Sequence, residues 1–257
     1  MNAQDLSGQD FSGRGVIVTG GTRGIGACIA GAFLAAGAQV LVCGRTEPDR
    51  LPAAAGRTAR FARADVRDPD QVADLIATAH DAFGRLDVVV NNAGGAPYDP
   101  AATASPRRHA KVIELNLLAP LHVAQAANRI MQEQSTGGSI IMIGSVSGTR
   151  PSPGTAAYGA AKAGLAHLAT SLAVEWAPRV RVNTVVVGLV RTEQINEHYG
   201  DGDQLAAVAA TVPLGRMATP DDVAGACLFL AGPAAGYISG ASLLVHGGGE
   251  RPRYAEA

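Results

Sequence analysis

The sequence has no surplus of charge of either sign: 21 basic residues face 22 acidic ones, for a net charge of -1. No basic stripe and no cationic amphipathic helix interrupts that balance, so neither a nucleic acid nor a membrane surface is expected as a partner. Cysteine is scarce. Cys28, Cys43 and Cys227 stand far apart and form no CxxC or Cys/His pattern, which leaves no metal site to expect and points to free, buried thiols in a reducing cytoplasm. Long apolar runs are missing too, since stretches such as 184–190 are broken by Gly and far too short to span a bilayer. The polar N-terminus, MNAQDLSGQDFSGRG, lacks the apolar core of a secretory signal. Lysine is the scarcest charge, because 19 of the basic residues are Arg and two are Lys, Lys111 and Lys162.

What is present fits one large α/β domain. The 257 residues are 47% hydrophobic and 17% charged, and they carry 32 Gly, as close packing of helices on a sheet requires. After a polar leader, residues 1–14, the run GVIVTGGTRGIG reads as strand, glycine turn and helix. The chain then alternates: strands are predicted at 38–45, 58–66, up to Asn91, 138–145, 180–188 and in ASLLVHGGG, with helices at 68–83, 106–134, 156–177 and 220–231. Continuous Val/Ile/Leu strands between helices predict a doubly wound, Rossmann-type parallel sheet of about seven strands, covered on both faces over residues 15–249, with a short tail at 250–257. No linker, repeat or low-complexity segment divides it.

Two Gly-rich features fall at the carboxyl ends of predicted strands, where ligands of open parallel sheets bind. Gly20, Gly24 and Gly26 end the first strand and open the first helix, allowing a pyrophosphate to approach backbone N–H groups at a helix N-terminus. The spacing TGGTRGIG lacks the Gly-Lys-Ser/Thr of a P-loop, which argues against ATP or GTP. Asn91 to Gly94 (NNAG) ends the fourth strand and Ser145 the fifth. Tyr158 and Lys162 follow at helical spacing, one turn apart on one face. A phenol with a reference pKa of about 10 is drawn toward ionisation by a neighbouring ammonium, and a chain that otherwise uses Arg keeps Lys here, a compact charge on a flexible stem.

Taken in order, TGGTRGIG, Asp65-Val66, NNAG, Asn116, Ser145 and YGAAK resemble the short-chain dehydrogenase/reductases in their compact, 3-oxoacyl reductase-like form. The resemblance implies a nicotinamide cofactor and catalysis by Asn116, Ser145, Tyr158 and Lys162. Ser145 would hydrogen-bond the substrate oxygen, Tyr158 would exchange its proton, Lys162 would lower the Tyr158 pKa and hold the ribose, and Asn116 would hold a relay water. It also implies a cofactor-binding set: Gly20, Thr22, Arg23, Gly24, Ile25, Gly26, Arg45, Asp65, Val66, Asn92, Ala93, Gly94, Tyr158, Lys162, Gly188, Val190 and Thr192.

No carboxylate ends the second strand, where Cys43, Gly44 and Arg45 stand, so Arg45, joined by Arg23, favours NADP over the alternative, NAD. The Pro-Gly usual in the family after the sixth strand is Val187-Gly188 here, and the segment 189–219 is expected to form a substrate lid with Gly200 and Gly202 in its middle. Val146, Leu189, Val190, Ile195, His198 and Tyr199 would line an apolar pocket for a medium-sized carbonyl or secondary alcohol. Of the six His, His198 alone is expected near it. By resemblance a homotetramer is expected. A catalytically silent nicotinamide sensor on the same fold is the alternative function, disfavoured by the complete proton-transfer set; an epimerase with an added substrate domain has no room after Gly249.

Overall fold

A computed structural model of the chain describes residues 9–192 and 202–249. In chain order it contains β1 (Gly15–Thr19), α1 (Gly24–Ala35), β2 (Gln39–Gly44), β3 (Ala53–Ala54), β4 (Arg57–Thr58), β5 (Arg60–Arg63), α2 (Pro69–Phe83), β6 (Val88–Asn91), α3 (Pro106–Ile113), α4 (Ala119–Glu133), β7 (Gly138–Ser145), α5 (Ala156–Glu175), β8 (Val180–Val187), α6 (Gly202–Ala210), α7 (Pro220–Ala231) and β9 (Ser242–Val245). Seven strands form one parallel sheet in the order β5-β2-β1-β6-β7-β8-β9. The strand order reverses between β1 and β6. The fold is the doubly wound, Rossmann-type sheet expected from the alternation of elements.

Both faces of the central strands β1, β6, β7 and β8 are buried, and the two-residue period of each strand divides its side chains between two cores. Val16, Val18, Val88, Val90, Ile141 and Ile143 point into the layer covered by α1 and α7, with Phe33, Val223 and Leu228. Ile17, Val89, Ile140 and Met142 point the other way, onto Leu75, Met131 and Leu165 of α2, α4 and α5. The segment ahead of β1 joins the first core: Phe11 is buried edge-on against Phe33, ring centroids 5.1 Å apart.

Local signals explain the ends of α2 and the start of α7. Asp68 caps α2, its carboxylate accepting the Asp70 N–H at 3.0 Å, Pro69 occupies the first turn, and Gly84 closes the helix in the left-handed region at φ 71°. The α7 start is closed by Asp222, which accepts the Thr219 N–H at 2.7 Å and pairs with Arg216.

Two expectations need correction. The strand expected over 58–66 splits: β3 and β4 form a small antiparallel ribbon turned by Ala55 and Gly56, and β5 ends at Arg63, opposite Gly44, where its neighbour β2 also ends. The helix expected over 106–134 is interrupted by a π-helical turn at 114–118, in which the Ala119 N–H reaches the Glu114 carbonyl. Pro120 accounts for it, because the Asn116 carbonyl finds no N–H four residues on.

Candidate active site

The glycine turn sits at the reversal of strand order. Gly20 has φ 60° and Gly24 φ 52°, values that favour glycine, and a Cβ on Gly24 would meet nothing within 4 Å. Gly26 has no such freedom of space: a Cβ there would overlap the Gly20 carbonyl and the Asn92 amide nitrogen. Gly21, not singled out in the sequence, is held as tightly, with Val42 Cγ1 2.6 Å from where its Cβ would be. The first turn of α1 carries no acidic residue and no side-chain cap, so its amides and positive dipole end are open to an anion. The cradle fits a dinucleotide pyrophosphate.

The turn is tied to the next strand end. Asn92 Nδ2 donates to the carbonyls of Thr19 (2.9 Å) and Gly20 (3.1 Å), and the Thr19 hydroxyl oxygen accepts the backbone N–H groups of Asn92 and Ala93, both at 3.0 Å. Asn92 and Ala93 therefore brace the glycine turn from beside it. The NNAG segment is in turn pinned by Asn116, whose side chain accepts the Gly95 N–H and donates to the Gly95 and Val112 carbonyls, each at 2.9 Å. Gly94 lies between Asn116 and Lys162: a Cβ there would stand 2.8 Å from Asn116 Oδ1 and 3.3 Å from Lys162 Nζ.

Ser145 ends β7 and Tyr158 and Lys162 lie in the first two turns of α5. Two glycines bring these elements together. A Cβ on Gly148 would meet the Ala163 nitrogen at 2.6 Å, and one on Gly159 the Ser147 carbonyl at 2.7 Å, so the turn after β7 packs directly on the α5 backbone. Ser145 Oγ accepts the Ser147 N–H at 3.2 Å, which leaves its hydroxyl proton to be donated. Lys162 is 4% exposed and donates to the Ile143 carbonyl at 2.8 Å, with Nζ 5.6 Å from the Tyr158 ring centroid. Burial lowers its pKa to about 8.

Residues 20–250 match the family described as Enoyl-(Acyl carrier protein) reductase. An uncharacterized oxidoreductase of Mycobacterium tuberculosis is 40% identical over 90% of both chains, and L-rhamnose 1-dehydrogenase (NAD(P)(+)) of Azotobacter vinelandii 38% identical over 91% of this chain and 95% of its own. A short-chain type dehydrogenase/reductase structure from Mycobacterium ulcerans superposes with a TM-score of 0.86 at 31% identity, covering 93% of this chain and 90% of that one. The chain belongs to the short-chain dehydrogenase/reductases. It is an oxidoreductase, and the family binds NAD(P).

In this dehydrogenase the edge beside the glycine turn is rich in Arg. Arg45 is exposed just beyond β2, and Thr22 lies against Gly44, its Cγ2 3.6 Å from the position of a Cβ there. Arg63, which the sequence reading passed over, ends β5 opposite Gly44 and donates through Nε to the Arg45 carbonyl at 2.8 Å. Asp65 is held by Arg67, with Arg67 Nε 2.9 Å from Oδ1, and its carboxyl lies below its ordinary range because of that pairing. Val66 is buried beside it.

On the far side of Ser145 lies a cavity of about 130 Å³, lined by Val146, Thr149, Arg150, Gly188, Leu189, Val212, His246 and Gly249. Val146 and Leu189 were expected there. Val190 was not well placed as pocket lining: it pairs with Ala218 in an isolated parallel bridge and packs on the core. Thr192 follows close behind at the end of the first described stretch. Ile195, His198, Tyr199 and Gly200 lie outside the described residues. The expectation that His198 is the one pocket histidine is corrected by His246, which lines the cavity from the end of β9. No sequence spacing signals it, since it reaches the site only through the pairing of β9 with β8.

Proposed function

We propose that this enzyme interconverts a carbonyl and a secondary alcohol of a medium-sized, mostly apolar substrate with NADP(H), using Ser145, Tyr158 and Lys162 as its proton-transfer set. The observation that carries the reading is the buried Lys162 ammonium beside the Tyr158 ring, behind a strand that ends in Ser145. When bound, the nicotinamide supplies or accepts the hydride. The Ser145 hydroxyl donates to the substrate oxygen, held in place by the Ser147 N–H on its own oxygen. Tyr158 gives that oxygen a proton in reduction and takes it back in oxidation. Lys162, with a pKa of about 8, remains mostly an ammonium at neutral pH and so favours phenolate. Asn116 contributes twice: its side chain fixes the Gly94–Gly95 turn, and its carbonyl, deprived of an i+4 donor by Pro120, is open to a water that relays protons to Lys162.

Gly20, Thr22, Arg23, Gly24, Ile25 and Gly26 would hold the pyrophosphate, Asp65 and Val66 the adenine, and Asn92, Ala93, Gly94, Gly188, Val190 and Thr192 the nicotinamide half. The Asp65 carboxylate has lone pairs to spare beyond its pairing with Arg67. The NADP preference is supported by Arg45 and Arg63 at the end of β2, where no carboxylate stands to repel a 2'-phosphate, and by Arg23 at the start of α1. Fluorescence titration with NADPH and NADH tests it: tighter binding of NADPH is expected, and tighter binding of NADH refutes it. A panel of ketones and alcohols, followed by absorbance of the reduced cofactor, tests the reaction class.

The same reading takes the enzyme as a homotetramer of a reducing cytoplasm. Exposed Val174 on α5 and Leu244 on β9 support close pairing of copies there, and the buried, unpaired Cys43 and Cys227 support the compartment. Light scattering at micromolar concentration tests the assembly.

A further inference from the structure

We propose that His246 is a specificity-determining residue that donates a hydrogen bond from Nε2 to a second oxygen of the substrate, making the preferred substrates oxygenated carbonyl compounds such as oxoesters or sugars, not simple ketones. This rests on the oxidoreductase reading above and names the substrate class of the same site.

The His246 ring is anchored by a hydrogen bond within its own loop. Its Nδ1 accepts the Gly248 N–H at 3.2 Å, so the neutral ring carries its proton on Nε2. Nε2 has no hydrogen-bond partner among the described residues, while the ring lines the cavity. The backbone around it is locked. Gly247, Gly248 and Gly249 have φ of 64°, 96° and 88°, the Gly249 N–H closes on the His246 carbonyl at 3.1 Å, and the Leu214 N–H donates to the Gly247 carbonyl at 3.0 Å. On the β8 side, His246 Cβ lies 2.7 Å and its Cα 2.9 Å from where a Cβ on Gly188 would be, so the absence of a side chain at Gly188 lets the His246 backbone lie close to β8.

The sheet fixes where this donor stands relative to the reacting carbonyl. Ser145 is in register with Val187, and Val187 with Val245. His246 therefore begins two strand spacings from Ser145, about 10 Å backbone to backbone. Donors whose backbones stand at that separation suit oxygens roughly two to four carbons apart in one molecule. The cavity that His246 lines starts at Val146, the residue after Ser145, and its volume of about 130 Å³ is close to that of one that admits a benzene ring, about 150 Å³. Its other polar groups are less free to serve: the Thr149 hydroxyl donates to the Val146 carbonyl at 3.0 Å, and Arg150 Nη1 to the Pro151 carbonyl at 3.1 Å. Val146, Leu189 and Val212 are apolar, so a second substrate oxygen turned toward them would lose its hydration without replacement.

The test uses two ketones of equal chain length, ethyl 3-oxobutanoate and heptan-2-one, which differ in the ester oxygens alone. Comparing the ratio of their kcat/KM values between wild type and variants cancels their different intrinsic reactivity. His246→Leu is expected to lower kcat/KM for the oxoester about tenfold, the worth of one hydrogen bond, and to change that for heptan-2-one less than twofold. His246→Gln, with an amide donor at similar reach, is expected to restore part of the preference. An unchanged ratio in His246→Leu, or an equal fall for both ketones, overturns the assignment and leaves the oxidoreductase reading intact. Turnover of neither ketone by the wild type also overturns it, and the NADPH titration with the wider ketone panel then shows whether the oxidoreductase reading falls too.

Discussion

Lys162→Met should make the cofactor-free protein more stable at neutral pH while removing its activity. In the folded chain burial holds the Lys162 pKa at about 8, against 10.5 for the free side chain. The charged form is thus the penalised one, and the difference corresponds to roughly 3 kcal/mol against folding. The sign follows from proton counting. Below pH 8 both folded and unfolded chains carry the proton and the penalty is fully present. Between pH 8 and 10.5 the unfolded chain keeps a proton that the folded chain has released, so stability rises with pH through that window, and above it the penalty is gone. Met fills a similar volume without charge. It gives up the hydrogen bond to the Ile143 carbonyl and the contact with the Tyr158 ring, together about 1 to 2 kcal/mol. A net gain of about 1 to 2 kcal/mol remains at pH 7, which in a chain of this size raises Tm by roughly 2 to 8 °C.

Paired thermal melts of wild type and Lys162→Met, run from pH 7 to pH 10 without cofactor, check this. The advantage of the variant should shrink as pH passes 8, since titration of every other group is common to both proteins. A variant less stable than wild type at pH 7, or two melting curves that run parallel across the whole range, would refute the assignment of Lys162 as a buried charge held at a cost for function.

Four further outcomes are expected. Tyr158→Phe should lower kcat by a hundredfold or more and weaken NADPH binding far less, read by steady-state kinetics and fluorescence titration. Arg45→Asp should shift the ratio of NADPH to NADH affinity by at least about tenfold toward NADH, since it replaces an anion-binding fork with a charge that repels a 2'-phosphate. Pro120→Ala supplies the missing N–H to the Asn116 carbonyl; the π turn should relax toward α-helix, with stability kept or raised and kcat reduced, as melting and kinetics would show. Gly26→Ala forces a Cβ onto the Gly20 carbonyl and the Asn92 amide, and should cost about 1 to 3 kcal/mol in urea unfolding along with cofactor affinity.

Where sequence signals are local, the elements were legible to the residue. β7 runs over Gly138–Ser145 and α7 over Pro220–Ala231 as expected, because a glycine or a Thr-Pro-Asp-Asp start punctuates each. The strand expected over 58–66 failed for a non-local reason: β5 can pair only as far as β2 extends, and a run of residues carries no record of where its neighbour stops. The interruption at Asn116 was readable in principle, since Pro120 inside a helical pattern removes one donor. Gly148 and Gly159 went unnoticed because what they accommodate, the crossing of two backbones, exists only in three dimensions.

The order of chemistry along the site is the order of strands in the sheet, not of residues in the chain. Reading across from β2, the edge presents Arg45, then the Gly20 turn after β1, Asn92 to Gly94 after β6, Ser145 at the end of β7, Gly188 after β8 and His246 after β9. Neighbouring strands lie about 4.8 Å apart, so the sheet spaces these groups like a ruler from the proposed phosphate end of the cofactor to the proposed far end of the substrate. Each group follows directly on its strand, and its distance from the next is set by the backbone hydrogen bonds of the sheet. Substitutions in the loops can therefore change which atoms are recognised while the separation between recognition points stays fixed. On that ground, substrate preference in this chain is to be sought at the β9 end of the edge, in the side chains that flank β8, and not in the proton-transfer set, whose spacing the sheet holds constant.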